Sequence, residues 1–217
     1  MKDSKIQGVY RDKNKIFTEN MSKGVKVYNE RLVKYKNKEF RSWNPYRSKL
    51  AAAILNGLDF SIKSDTKILY LGAATGTTVS HFSDILQKGL IYSVEISPVA
   101  VKKLMELTEK RKNIIPILSD ANHPDRYSPI VTKVDFIYQD ISQRNQASIF
   151  ISNVARYLKE NGTAILMVKA RSIDVTLKPK EAYDLVCKEL KNSGLKIKEK
   201  VDLSPYEKDH AAIIVSA

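Results

Sequence analysis

"YLGAATGTTVSH" (residues 70–81) packs two glycines, two alanines and three threonines directly behind the apolar run that opens at Lys67. A short apolar segment that runs into so bare a turn, with helical spacing after it, reads as the first β-α turn of an open α/β sheet. Small side chains there let a ligand approach the backbone. The glycines stand as Gly72-x-x-x-Gly76 rather than G-x-G-x-x-G, so the dinucleotide fingerprint is missing.

Working outward, strand-like and helix-like segments alternate. "TVSHFSDILQ" predicts a helix, "LIYSVEIS" a strand, and "PVAVKKLMELTEKR" a helix with Pro98 at its start, where the absent N–H costs nothing. "IIPILSDA" and "KVDFIYQDI" predict strands. "NQASIFISNVARYLKE" predicts a helix ended by Asn161-Gly162, then "GTAILMVKA" a strand and "KEAYDLVCKELKNSG" a helix ended by Gly194. "KIKEKVDL" and "HAAIIVSA" have no helix between them and predict an antiparallel pair at the sheet edge. Upstream, "YRSKLAAAILNGL" has Leu50, Ile54 and Leu58 on one helical face. Residues 1–45 instead alternate apolar and polar residues around Lys-Asn and Ser-Lys-Gly turn clusters, the pattern of a small antiparallel β domain. The expected fold is α/β: a mostly parallel sheet with helices on both faces over residues 46–217, preceded by that β-rich domain.

Composition narrows the function. Over 217 residues, 43% apolar residues suffice for a sizeable core, and mean hydropathy is −0.32. No run approaches the roughly 20 apolar residues of a membrane span, and "MKDSKIQGVYRDKNK" has no apolar core, so a cytoplasmic protein without a secretory signal is expected. A lone cysteine, Cys187, excludes an intramolecular disulfide and a multi-cysteine metal site; the three histidines form no ligand pair, and no metal is expected. Thirty-seven Lys and Arg against 24 Asp and Glu give +13, a field that attracts polyanions, of which nucleic acid is the commonest in a cell. Aromatics are only 8%, and the tyrosines are scattered in sequence, which predicts charge for phosphates but little base readout.

In open sheets, ligands sit beyond the C-terminal ends of the strands. There the sequence places GAATGTT, Glu95, Asp120, Asp140 and Lys169, one after each of five strands. Any single one serves equally well as a cap or turn residue; five in phase predict a site. Thr77 and Thr78 would open a helix whose N-terminus favours a carboxylate. Glu95, 19 residues after Gly76, has the spacing of a carboxylate that binds ribose hydroxyls. Asp120-Ala121 would meet an adenine, whose exocyclic amine a carboxylate can accept from. An adenosine with a carboxylate tail suits this short turn better than a pyrophosphate, which describes S-adenosyl-L-methionine (SAM); an NAD-dependent enzyme of the same sheet class is the alternative.

Longer motifs add a resemblance. "YLGAATGTTVSHFSDIL", "IYSVEIS", "NIIPILSDANHP", "VDFIYQDISQ", "VKARSID" and "YEKDHAAIIV" run in order from about Tyr46 onward, with "WNPYRSKLAAAI" before them, and closely resemble the fibrillarin family in its archaeal type. Ile96 and Ile141-Ser142 stand where Phe and Val-Ala are common in that family. The resemblance implies a seven-stranded Rossmann-like SAM-dependent methyltransferase sheet and a small N-terminal β domain. It implies ribose 2′-O-methylation of rRNA and tRNA. The cofactor would be held by Gly72, Ala73, Thr77, Thr78, Glu95, Ile96, Asp120, Ala121, Asp140, Ile141, Ser142 and Gln143. A Lys-Asp-Lys-His tetrad would fall on Lys49, Asp140, Lys169 and His210. The implied partners are a box C/D guide RNA that pairs with the target, a Nop-domain scaffold protein and a kink-turn-binding ribosomal-type protein.

A ribose hydroxyl is a poor nucleophile, so its proton must be removed and its oxygen aimed at the methyl donor. Lys169 is the expected base, since partial burial and a neighbouring cation such as Lys49 disfavour the ammonium form, with Asp140 and His210 orienting it. Each of these residues also has an ordinary reading: Lys49 a solvated helix charge, Lys169 with Arg171 a phosphate contact, His210 beside Asp209 a turn residue. A non-catalytic RNA-binding subunit that keeps the fold therefore stays open as an alternative. His81 and His123 read as structural. Cys187 lies within a helix rather than an exposed Pro-Cys turn, which argues against cytosine-5 methylation.

Overall fold

The computed structural model describes residues 1–216. The first five strands, β1 (Lys2–Asp3), β2 (Val9–Asp12), β3 (Lys15–Glu19), β4 (Leu32–Tyr35) and β5 (Lys38–Trp43), form an antiparallel sheet in the order β1-β2-β3-β5-β4. Lys36 and Asn37 between β4 and β5 both take the left-handed conformation (φ 45° and 61°), as a two-residue hairpin requires to match strand twist.

The second sheet contains β6 (Lys67–Leu71), β7 (Leu90–Glu95), β8 (Ile114–Leu118), β9 (Val134–Gln139), β10 (Leu158–Lys169), β11 (Lys196–Asp202) and β12 (His210–Ser216), in the order β11-β12-β10-β9-β6-β7-β8. Around it lie α1 (Lys49–Leu55), α2 (Thr77–Ile85), α3 (Pro98–Thr108), α4 (Gln146–Tyr157), α5 (Ala170–Ile173) and α6 (Pro179–Asn192). Its central strands are near-continuous apolar runs because both faces are covered. Ile68 and Tyr70 of β6 join the core that holds α1 and α2, while Leu69 and Leu71 join the one under α4 and α6. The chain runs from β6 out to β8, then returns to β9 on β6's other side, so the switch point lies between the C-terminal ends of β6 and β9. Pro98 starts α3 as expected; Ser97 caps it, its side chain accepting the Ala100 N–H.

Three expectations shift. The helix read through Glu160 ends at Tyr157: Leu158 is already extended, and Asn161 (φ 61°) makes a kink inside β10, whose ladder with β9 skips from Leu158–Val134 to Thr163–Phe136. The Asn161-Gly162 pair therefore marks a bulge in the next strand, and a Cβ on Gly162 would meet the Leu158 side chain. The antiparallel pair is present, but only β11 is an edge; β12 sits between β10 and β11, antiparallel to both. Helix α3 stops at Thr108, short of Arg111, whose N–H still donates to the Leu107 carbonyl (3.0 Å).

The two sheets share one core. Ile6, Val9, Ile16 and Trp43 cluster with Ala51, Ala53, Val79 and Phe82 of the helices. A fully buried ion network closes the same seam. Asp84 of α2 accepts from Arg41 (2.8 Å), Arg111 (2.6 Å), the Thr18 hydroxyl (2.7 Å) and the Met21 N–H (3.0 Å). Arg41 also donates to Glu30 (2.5 Å) and to Ser80 (2.8 Å). His81 stacks under Trp43 with ring centroids 4.6 Å apart, and its ring nitrogens meet Thr18 and Tyr28, each at 2.8 Å. Thr18 also gives its proton to Asp84, and the Tyr28 hydroxyl also donates to the Ser42 carbonyl (3.1 Å). Burial, then Arg41 and Arg111, push the His81 pKa well below the usual histidine range, so the ring is neutral. Among the described residues no helix is long and apolar enough to cross a membrane.

Candidate active site

The turn after β6 is shaped by protein packing as much as by any ligand. Gly72 (φ 82°) lets the turn lie on the following strand end, since a Cβ there would run into the Asp140 carbonyl. Gly76 (φ 89°) caps α2, and a Cβ there would collide with Leu104 and Leu107 of α3. What the turn leaves open is the backbone at Gly72 and Ala74, and both line a cavity of about 280 Å³ at the switch point. This is at the small end for a small-molecule site.

Val94, Glu95, Ile96, Ser119, Asp120, Ala121, Asp140, Ile141, Ser142 and Gln143 complete its wall. The cavity thus gathers nine of the twelve residues expected to hold a cofactor; Ala73, Thr77 and Thr78 are not among its lining. Thr78 is buried with its hydroxyl 2.9 Å from that of Ser48, which ties α2 to the cap of α1. Glu95 sits at the end of β7 with one carboxylate oxygen on the Ala74 N–H (2.8 Å) and the other on Ser97 N–H (2.9 Å). Each oxygen keeps a lone pair for a hydroxyl. Asp120 accepts the backbone and side-chain N–H groups of Asn122, which hold its carboxyl below the usual range and keep it an acceptor. Asn122 also reaches Gln143 (3.0 Å), so opposite walls are linked. These acceptors fit an adenosine: Glu95 has lone pairs that ribose hydroxyls would fill, and Asp120 stands beside the small Ala121, where an exocyclic amine would find an acceptor.

The four candidate reactive residues, of which Asp140 also lines the cavity, fall into two pairs. Ser48 caps α1 and delivers Lys49 as its first residue. The Lys49 ammonium contacts both oxygens of Asp140, at 2.7 and 3.0 Å, with each side chain about a fifth exposed. Lys169, the last residue of β10, stands in register with His210, the first of β12. Its ammonium enters none of the ion pairs among the described residues. The His210 ring is nearly buried, with Nδ1 2.7 Å from the Lys208 carbonyl and 3.9 Å from Glu207. Near Asp140, the Tyr70 and Tyr138 rings meet at a tilt of 40° with centroids 4.6 Å apart; burial pushes both phenols well above their ordinary range, so they are neutral.

Sequence reasoning missed Ala74, Val94 and Ser119 of the wall, and above all Gln146. Past Gln139 the strand β9 has ended, so the Lys169 backbone lacks a neighbour on that side. The buried Gln146 side chain replaces it, accepting the Lys169 N–H (3.0 Å) and donating to the Lys169 carbonyl (3.2 Å) and the Gln143 carbonyl (3.1 Å). Nothing in "NQASIF" distinguishes this glutamine from a solvated first-turn residue. Cys187 is half-buried in α6 and burial raises its thiol, the opposite of an activated nucleophile.

Comparison with known proteins identifies the family. The fibrillarin family model matches residues 1–217. A fibrillarin-like rRNA/tRNA 2′-O-methyltransferase of Thermococcus sibiricus is 49% identical, covering 99% of this chain and 98% of the relative. The crystal structure of Aeropyrum pernix fibrillarin with natively bound SAM superposes with TM-score 0.89 at 42% identity, covering 99% of this chain and 96% of that one. The fibrillarin chain of a fibrillarin/Nop5p complex gives TM-score 0.90 at 46% identity, covering 97% and 98%. A seven-stranded sheet of methyltransferase type, a fused antiparallel sheet and a match along the whole length place this chain in the fibrillarin family.

Proposed function

We propose that the chain is an RNA ribose 2′-O-methyltransferase that uses SAM and acts as the catalytic subunit of a box C/D guide ribonucleoprotein in the cytoplasm. The observation that carries this reading is the placement of the Lys49–Asp140 and Lys169–His210 pairs at the strand ends beside a nucleoside-sized cavity. When bound, SAM supplies a methyl group on a sulfonium, an electrophile that needs no metal. Within the cavity, Glu95 holds the ribose, Asp120 the adenine amine, and Gly72 and Ala74 allow close approach, with Ile96, Ala121 and the Ile141–Gln143 segment as walls.

The chain's own residues handle the proton. Lys169 in its neutral form takes the proton of the 2′-OH. Asp140 pairs with Lys49 and fixes it at the first turn of α1. His210, across the ladder from Lys169, orients it or passes the proton on. Thr77 and Thr78 would serve the cavity through the α2 start they build rather than from its wall. The +13 charge draws RNA to the site, and sequence choice comes from a guide RNA paired with target rRNA or tRNA. A Nop-domain scaffold, for which the fibrillarin/Nop5p complex is the support, would dock the enzyme, and a kink-turn-binding protein would complete the particle.

The test is methyl transfer from labelled SAM to a guide-paired RNA, by the chain alone and with scaffold proteins added, with sites mapped by resistance to alkaline cleavage. Label at one 2′-O position, only in the assembled mixture, is the expected result. Label with the chain alone would remove the guide and scaffold from the reading. No label in either mixture, with SAM binding intact, would leave a non-catalytic subunit.

A further inference from the structure

Two walls of the cavity are joined by a row of three side-chain amides, Asn145, Asn122 and Gln143, and the row has a single sense. Asp120 is held below the usual carboxylate range, so its oxygens only accept. The Asn122 amide nitrogen must therefore face it, donating to Asp120 Oδ1 at 2.9 Å beside the Asn122 backbone N–H, also at 2.9 Å. That amide nitrogen also donates to Gln143 Oε1 (3.0 Å), and Asn122 Oδ1 accepts from the Asn145 side chain (2.7 Å). Each amide fixes the next, because turning any one over sets two donors or two acceptors face to face.

What the row leaves unpaired is as ordered as what it pairs. Both bonds to Asp120 fall on Oδ1, so Oδ2 is left to accept from a ligand. Asp120, Ala121 and Gln143 line the cavity, whereas Asn122 and Asn145 do not. An adenine presents an amino group beside N1, an acceptor; hypoxanthine, its 6-oxo counterpart, presents a carbonyl beside N1–H. A carboxylate oxygen fixed opposite the amino position accepts from the first and repels the second. A carboxylate free to rotate would instead follow the donor to N1–H and take either ring. Discrimination thus depends on holding Asp120 still, and Asn122 is the side chain that holds it.

We propose that Asn122 is a specificity-determining positioning residue: it locks the Asp120 carboxylate so that the cavity takes a 6-aminopurine nucleoside and rejects a 6-oxopurine one. The proposal rests on the reading of Asp120 as the partner of the cofactor's adenine amine. Asn122 acts through Asp120 and Gln143 and not by contact with the ligand.

The experiment is calorimetric titration of the full chain with S-adenosyl-L-homocysteine and with S-inosyl-L-homocysteine, which differ only in the amino or oxo group of the purine and the proton at N1. Wild type should bind the adenosyl compound more tightly. Asn122→Ala should raise its Kd roughly 3- to 10-fold, the range for one lost hydrogen bond. The inosyl Kd should stay level or fall, so that the preference shrinks. Asn122→Asp sets a second carboxylate against Asp120 and an acceptor against Gln143 Oε1, and should raise the adenosyl Kd further. Asn145→Ala, at an exposed position, removes only the outermost bond of the row and should shift the preference the same way by less. The proposal is overturned if Asn122→Ala weakens both compounds by the same factor, which would make Asn122 a builder of its turn and no more. It is also overturned if wild type does not prefer the adenosyl compound, which would take Asp120 away from the amine. Where the Asn122 variants fail to fold, an unchanged preference in Asn145→Ala overturns it instead. If neither compound binds wild type, the cofactor reading itself falls, and the proposal with it.

Discussion

Two regions of this molecule are built from the same side chains and do opposite things with them. At the seam between the sheets, Arg41, Arg111, Glu30, Asp84 and His81 are buried and all have partners. Beside the cavity, Lys49, Asp140, Lys169 and His210 form one half-open ion pair, and the Lys169 cation enters none of the ion pairs among the described residues. The buried network balances two guanidiniums against two carboxylates, and Asp84 alone accepts four hydrogen bonds. Nothing in it is left to offer a substrate. A reactive centre needs the reverse: donors and acceptors held in place but unsatisfied until a substrate arrives. Saturation, rather than residue type, separates scaffold from chemistry here.

The largest expected effect breaks the open half. Lys169→Met should lower kcat roughly 10²- to 10⁴-fold, the range for loss of a general base, with an unchanged thermal midpoint. Single-turnover methyl transfer measures the first and calorimetry the second. Breaking the closed half should do the opposite: Asp84→Ala leaves two buried guanidiniums without their shared partner and should cost about 3–5 kcal/mol of stability. Urea unfolding reads it, and the fraction still folded should keep near-normal kcat. If that variant lost kcat while fully folded, the seam would belong to the active site after all.

Gln146 sharpens the comparison, because it is buried and saturated yet sits under the base. Gln146→Leu leaves the Lys169 backbone groups unpaired, which should cost about 1–3 kcal/mol of stability. Displacing the Lys169 side chain should also lower kcat, by up to roughly 100-fold. Gln146→Glu, which can still accept the Lys169 N–H, should recover part of both. The smallest effect is a pH dependence. His81 is neutral in the fold and titrates near 6.5 when unfolded, so the unfolded chain binds the extra proton as pH falls. Its contribution is complete above about pH 6.5 and declines below it, by at most ~1.4 kcal/mol per pH unit. Urea midpoints of wild type and His81→Asn between pH 7.5 and 5.5 should diverge in that direction.

Most of the sheet could be read from the chain because its strands are short apolar runs with helices between them, and those signals are local. Asn161-Gly162 misled because a left-handed Asn before Gly looks the same in a helix stop and in a strand kink; only the neighbouring β9 ladder distinguishes them. The cavity wall followed from the rule that strand C-termini face the ligand, which found Glu95, Asp120 and Asp140 without any partner in view. Thr77 and Thr78 were placed by the same rule, but Thr78 turned toward Ser48, a residue 30 positions away. Arg41 and Gln146 were invisible for a single reason. Each owes its role to a contact far along the chain, and sequence spacing carries no trace of that.

Gln146 joins the carbonyl of Gln143, in the cavity wall, to the backbone of Lys169, so the wall and the end of β10 form one mechanical piece. Any occupant that tightens the 141–143 segment therefore also narrows the positions open to Lys169. By thermodynamic reciprocity, the factor by which a filled cavity strengthens RNA binding must equal the factor by which bound RNA strengthens hold on the cavity's occupant. The buried Gln146 amide is the link that would carry such a coupling between the cavity wall and the end of β10.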